Sequence, residues 1–98
     1  MKWIITKHAR ERKEERFSDV KIEFKPKISN YKYRYLDKRH KWHLYDGRFG
    51  VEIIGEEVYG TFYVITIVNC SLEEYLDKSA YQEISRYSNS FKYNIKLK

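Results

Sequence analysis

From Tyr31 to Val68 apolar side chains recur at about every second position, the period of strands with one face buried and the other wet. Tyr31, Tyr33 and Tyr35 alternate with Lys32 and Arg34, and Trp42 and Leu44 alternate with Lys41, His43 and Tyr45. Phe62 to Val68 is the longest apolar run, and Val58 to Val68 reads as the central strand, with Gly60 as a bulge. Asp46-Gly47 predicts a type I′ hairpin between Lys41–Tyr45 and Arg48–Ile54, because that turn needs positive φ at both central residues. Gly55-Glu56-Glu57 predicts a second turn. The expectation is a meander of consecutive antiparallel strands.

Helical signals flank this block. Lys2 to Thr6 reads as a short strand and Lys7 to about Arg16 as a helix that Thr6 can cap. Its apolar stripe is thin, comprising Ala9, the stem of Lys13 and Phe17, so docking on a sheet must hold it. Ser18 to Ile28 fits either a strand, on the alternation of Val20, Ile22 and Phe24, or a short helix, and Pro26 ends it. Ser71 and Glu74 form a capping-box pattern that starts a helix to about Tyr87, with Leu72, Tyr75, Leu76, Ala80, Ile84 and Tyr87 at helical spacing. Phe91, Tyr93, Ile95 and Leu97 suggest a final strand at a sheet edge. The fold class expected is α+β: an N-terminal helix packed on a four-stranded antiparallel sheet, then a C-terminal helix and the edge strand.

Length and composition narrow the function classes. The 98 residues suit one domain spanning 1–98, and 42% hydrophobic residues argue for a real core. Twenty Lys and Arg against fourteen Asp and Glu give +6, which favours a polyanionic partner such as RNA or DNA. Cys70 is the single cysteine, which rules out a disulfide within the chain. It reads as a buried thiol in a reduced, cytoplasmic setting. No apolar run approaches the roughly 20 residues that span a bilayer, and Trp3 to Ile5 is too short for a signal-peptide core, so no membrane role is expected.

No phosphate loop, Rossmann glycine pattern or nucleophile elbow appears, so no cofactor is expected. No metal is expected either. His40 and His43, three apart on a strand, would point to opposite faces, and Asp37, Asp46 and Glu52 read as charges of turns and strands.

Two constellations remain. His8, Arg12 and Arg16 are four residues apart and fall on one helical stripe, joining an imidazole that moves protons near neutral pH to two fixed cations that can hold a phosphate. The bland reading is a solvated helix face. The second is the ladder from Tyr31 to Trp42, where Lys32, Arg34, Lys41 and His43 among aromatics resemble a nucleic-acid surface. Its bland reading is a half-buried strand with a wet cationic face. Thr66, near the end of the central strand, could face a helix docked on the sheet.

The His8-Ala9-Arg10-Glu11-Arg12 segment, with Arg16 at the helix end and Val64-Ile65-Thr66-Ile67-Val68 in the last long strand, resembles small domains of unknown function with an H-A-x-x-R first helix. These belong to the barnase, EndoU, colicin-type and RelE-like ribonuclease superfamily. The resemblance covers roughly Trp3 to Val68. It implies a metal-independent endoribonuclease, with His8 transferring protons, Arg12 and Arg16 binding phosphate, Thr66 donating a hydrogen bond and Arg48 adding a cation on the sheet side. It also implies a toxin of a toxin-antitoxin pair, neutralised by a cognate protein. Ser18–Ile28 lacks the family's clear second helix, and Leu72–Lys98 lies outside the motif. Two alternatives therefore stand beside it: a non-catalytic nucleic-acid-binding protein, viral or plasmid-borne, and an interaction module or enzyme inhibitor whose basic face meets an acidic protein. Tyr-rich edge strands suggest a homodimer.

Overall fold

In the computed structural model, which describes residues 1–11 and 22–86 and of residues 81–86 only the backbone, the alternating segments pair into one sheet. Its strands are β1 (Lys2–Ile5), β2 (Tyr33–Leu36), β3 (Trp42–Asp46), β4 (Val51–Val58) and β5 (Thr61–Asn69), in the order β1-β5-β4-β3-β2. β2 to β5 form the expected antiparallel meander, but the sheet has five strands instead of four, and β1 lies parallel to β5. That docking is fixed by hydrogen bonds that no local pattern encodes. Lys2 N–H donates to the Gly60 carbonyl at 3.1 Å, while the Thr6 N–H and hydroxyl both donate to the Val64 carbonyl at 3.0 and 2.8 Å.

The turns also move. Gly55-Glu56-Glu57 is no turn, because β4 runs straight through it to Val58. A Cβ on Gly55 would run into the Phe62 ring and the Tyr63 carbonyl, so the glycine serves close approach across the β4–β5 pair. Beside it the register slips between Ile54 and Gly55, whose partners are Thr66 and Val64, leaving Ile65 as the extra residue of a bulge. The reversal comes at Tyr59 and Gly60, both at positive φ (47° and 81°), as a two-residue type I′ loop requires. Gly60 is thus a turn residue and not a bulge. Asp46-Gly47 does begin a hairpin connection, but a longer one: Asp46 pairs with Val51, and the left-handed residue is Gly50 at φ 62°. The buried Asp46 carboxylate holds that loop by accepting the Arg48 N–H at 3.0 Å.

The two faces of the sheet carry different cores. Leu44, Ile53, Phe62, Val64 and Ile67 point to one face, where they meet Ala9, Ile22, Ile28 and Tyr31. Fully burying each large side chain stabilises by roughly 1.5–3 kcal/mol. Trp3 adds a stacked contact with Phe24 at 5.0 Å between ring centroids. The first helix, α1, spans residues 7–11 of the described chain and seats Ala9 in this core. Thr6 caps it, its hydroxyl accepting the Ala9 N–H at 3.3 Å.

The other face is covered by α2 (Leu72–Arg86). Ser71 and Glu74 make the reciprocal capping box, with Glu74 N–H donating to the Ser71 hydroxyl at 3.1 Å and Ser71 N–H donating to the Glu74 carboxylate at 2.9 Å. Buried Tyr75 lies against the rings of Tyr33, Tyr35 and Tyr45. Arg12, Arg16 and Phe17 of the expected first helix, and the expected strand from Phe91 to Leu97, lie outside the described residues.

Gly55→Ala should lower stability by about 1–3 kcal/mol through overpacking against Phe62 and the Tyr63 carbonyl. A urea unfolding curve of the variant beside the unmutated chain checks this, and equal midpoints would remove the close-approach explanation.

Candidate functional site

The sheet separates two members of the proposed catalytic set. His8 is exposed on α1, on the side of the larger core. Thr66 pairs with Ile54, which is also the partner of His43, and so belongs to the face that α2 covers. Arg12 and Arg16 lie outside the described residues. Among the described residues, His8 and Thr66 do not share a groove.

The ladder aromatics are spent on packing. Tyr31 is fully buried in the core, where its hydroxyl accepts the Lys25 N–H at 2.9 Å, and Tyr33 and Tyr35 turn toward Tyr75. Several of the expected cations are engaged as well. Lys41 pairs with Glu56 at 2.8 Å. Arg48 grips Asp46 through Nε and Nη2 at 3.1 and 2.8 Å and donates to the Glu23 carbonyl at 2.7 Å. Arg34 donates one Nη1 hydrogen bond to the Tyr31 carbonyl at 2.7 Å, and Lys32 sits over the Tyr33 ring at 5.3 Å; both are exposed.

His43 is the hub of a charge network beneath α2. Its Nδ1 lies 2.7 Å from Glu52 Oε2 and its Nε2 lies 2.8 Å from Asp37 Oδ2. Each ring nitrogen thus faces a carboxylate oxygen, a group that only accepts when ionised. Glu52 is fully buried and also takes a hydrogen bond from Lys78 Nζ, which ties α2 to the sheet. Tyr35 stacks on the imidazole at 4.4 Å, with the planes 3° apart, and the Tyr75 hydroxyl donates to the His43 carbonyl at 2.7 Å.

Burial alone would push the Glu52 carboxyl up, but hydrogen bonds from His43 and Lys78 outweigh it and hold the group below the ordinary range. Asp37 follows the same rule: partial burial raises it, while His43 and the backbone N–H groups of Lys41 and Arg39 lower it further. Burial raises the Tyr75 hydroxyl well above its usual range, keeping it a neutral donor, and likewise raises the Cys70 thiol. Cys70 is thereby kept from being a ready nucleophile.

Asp37 links this interior to the surface. Its Oδ1 accepts the N–H groups of Arg39 and Lys41 at 2.8 and 3.0 Å, while the Asp37 N–H reaches the Lys41 carbonyl at 2.9 Å. His40, at φ 64°, donates its N–H to the Asp37 carbonyl at 3.0 Å. The turn between β2 and β3 is therefore stiff, and it presents Lys38, Arg39 and His40 to solvent.

Sequence reading missed this network and this turn. One signal was present: Glu52 stands within Val51-Glu52-Ile53-Ile54, and a carboxylate inside an apolar strand must be paired if its face is covered. Comparison with protein-family models, with curated proteins and with solved structures finds no match.

Because Asp37 and Glu52 are held low, their stabilisation is complete above the unfolded carboxyl values of about 4 and is lost as pH falls through the lower folded values. Urea midpoints should drop as pH falls below about 5, and Glu52→Gln should shallow that acid limb. His43→Ala leaves a fully buried carboxylate short of a donor and should cost about 3–5 kcal/mol at neutral pH. An unchanged midpoint would show that the network does not hold α2.

Proposed function

We propose that the protein is a nucleic-acid-binding module that holds the phosphate backbone of RNA on the β2 edge and the turn that follows it. One observation carries the reading. Lys32, Arg34, Lys38 and Arg39 are exposed together along one edge and have no carboxylate partner among the described residues, as Lys2, Lys7, Arg10 and Lys27 have none elsewhere, whereas Lys41, Arg48 and Lys78 each have one and His43 has two. A run of uncompensated cations on one edge raises the local potential and attracts a polyanion. The aromatics of this strand face α2, so binding here runs through phosphates and not through base stacking on Tyr33 or Tyr35.

A second reading is metal-independent RNA cleavage, with His8 as the proton-transfer group and Arg12 and Arg16 on the phosphate; Thr66, on the other face of the sheet, has no part in it. The exposure of His8 favours it, since a substrate can reach the imidazole. An acidic protein partner, as an antidote would be, belongs to this reading.

Fluorescence anisotropy with a labelled RNA, repeated over a range of salt, tests the leading proposal. Affinity should fall steeply with salt, and Lys38→Glu with Arg39→Glu should weaken binding at least tenfold and flatten the salt slope by about 0.7 per lost phosphate contact. Binding indifferent to salt and to these changes would sink it. RNA cleavage in EDTA that disappears in His8→Ala would support the second reading instead.

A further inference from the structure

Tyr59 stands apart from every other large side chain in the described chain. At 103% relative exposure it projects fully into solvent, while the remaining exposed large hydrophobics, Met1, Val58 and Tyr63, are each about half covered. It makes no ring contact among the described residues, and unlike Tyr63 and Trp42, which also make none, it has no part of its side chain covered. Its backbone is left-handed, at φ 47°, in the first central position of the β4–β5 turn. Asn, Asp or Gly suits that position, and a bulky residue there is an outlier that points to a use for the side chain. Packing does not supply that use, because the ring touches nothing.

Register places the turn beside the cations. Trp42, at the start of β3, pairs with Leu36 on β2 and with Gly55 on β4, so the β2–β3 turn and the β4–β5 turn leave the same end of the sheet. The Lys41–Glu56 ion pair joins the two along that end. Across the sheet the tips are about two strand spacings apart, roughly 10 Å, and Tyr59 extends about two residues further, roughly 7 Å. Glu56 is neutralised by Lys41, and Glu57 is exposed on β4 close by, so the field is strongest on the Lys38–His40 side.

We infer that Tyr59 is a base-stacking residue, and that the RNA this end of the sheet takes is single-stranded. Rings offered to solvent on a tight hairpin bind unpaired bases face to face, whereas the bases of a duplex are already stacked on one another. The backbone of the same strand would run toward Lys38 and Arg39. This assignment rests on the nucleic-acid reading above and narrows it from polyanion binding to unpaired RNA.

The test compares oligo(U), alone or annealed to oligo(A), against the full chain and its Tyr59→Asn and Tyr59→Phe variants. Tyr59→Asn should weaken oligo(U) binding about tenfold or more and change duplex binding less than about twofold, and Tyr59→Phe should retain affinity. Asn is better suited than Tyr to this turn, so the Tyr59→Asn melting temperature should equal or exceed that of the unmutated chain, which separates lost stacking from lost folding. Oligo(U) affinity unchanged in Tyr59→Asn, or equal losses on single strand and duplex, overturns the stacking role while salt-dependent binding survives. Absence of salt-dependent binding in the unmutated chain overturns the parent reading and this one together.

Discussion

The imidazole of His43, held between Asp37 and Glu52, is the interaction on which the rest of this architecture depends. Three parts of the molecule meet at it. Through Glu52 and Lys78 it ties α2 to the sheet, through its own carbonyl it engages Tyr75, and through Asp37 it organises the turn that carries the exposed cations. A fully buried carboxylate is costly to desolvate, and only a complete set of donors offsets that cost. The network is therefore sensitive at every member, and removing one donor exposes the penalty of the others.

The remainder of the sheet is governed by close packing on the opposite face. Gly55 lets the Phe62 ring lie against β4, and the bulge at Ile65 restores inward alternation beyond it, so that Val64 and Ile67 both reach the core despite being three apart. A strict period of two cannot do that. The consequence for the surface is direct, since uninterrupted β4 and β5 carry their connecting turn, with Tyr59, well past the end of β3.

Ion pairing within the described residues divides the surface cations into those held by carboxylates and those that are not. Pairing of Arg48 with Asp46, Lys41 with Glu56 and Lys78 with Glu52 removes cations from consideration at several places on the surface. Among the exposed cations without a carboxylate partner, Lys32, Arg34, Lys38 and Arg39 share the β2 edge and the adjoining turn, while Lys2, Lys7, Arg10 and Lys27 lie on β1, α1 and the segment before β2. The stiffness of that turn matters for recognition, because groups already held in place lose less entropy on binding a ligand.

The sequence by itself located the segments that hold the five strands, though not all of their ends, and showed that Thr6 can cap the first helix and Ser71 with Glu74 the second, because alternation and capping act between residues a few positions apart. It also marked Cys70 as a buried thiol. It did not determine that β1 runs parallel to β5, that Gly55 sits inside a strand, or that the reversal falls at Tyr59-Gly60, since each depends on what packs across from it. The same division holds for the candidate sites. Composition gave a basic chain, but which lysines and arginines stay unpaired, that His43 is enclosed by Asp37 and Glu52, and that His8 and Thr66 lie on opposite sides of a sheet were decided only by tertiary structure. Ion pairing and facing are set by distances between residues far apart in the chain, and a linear pattern carries no distances.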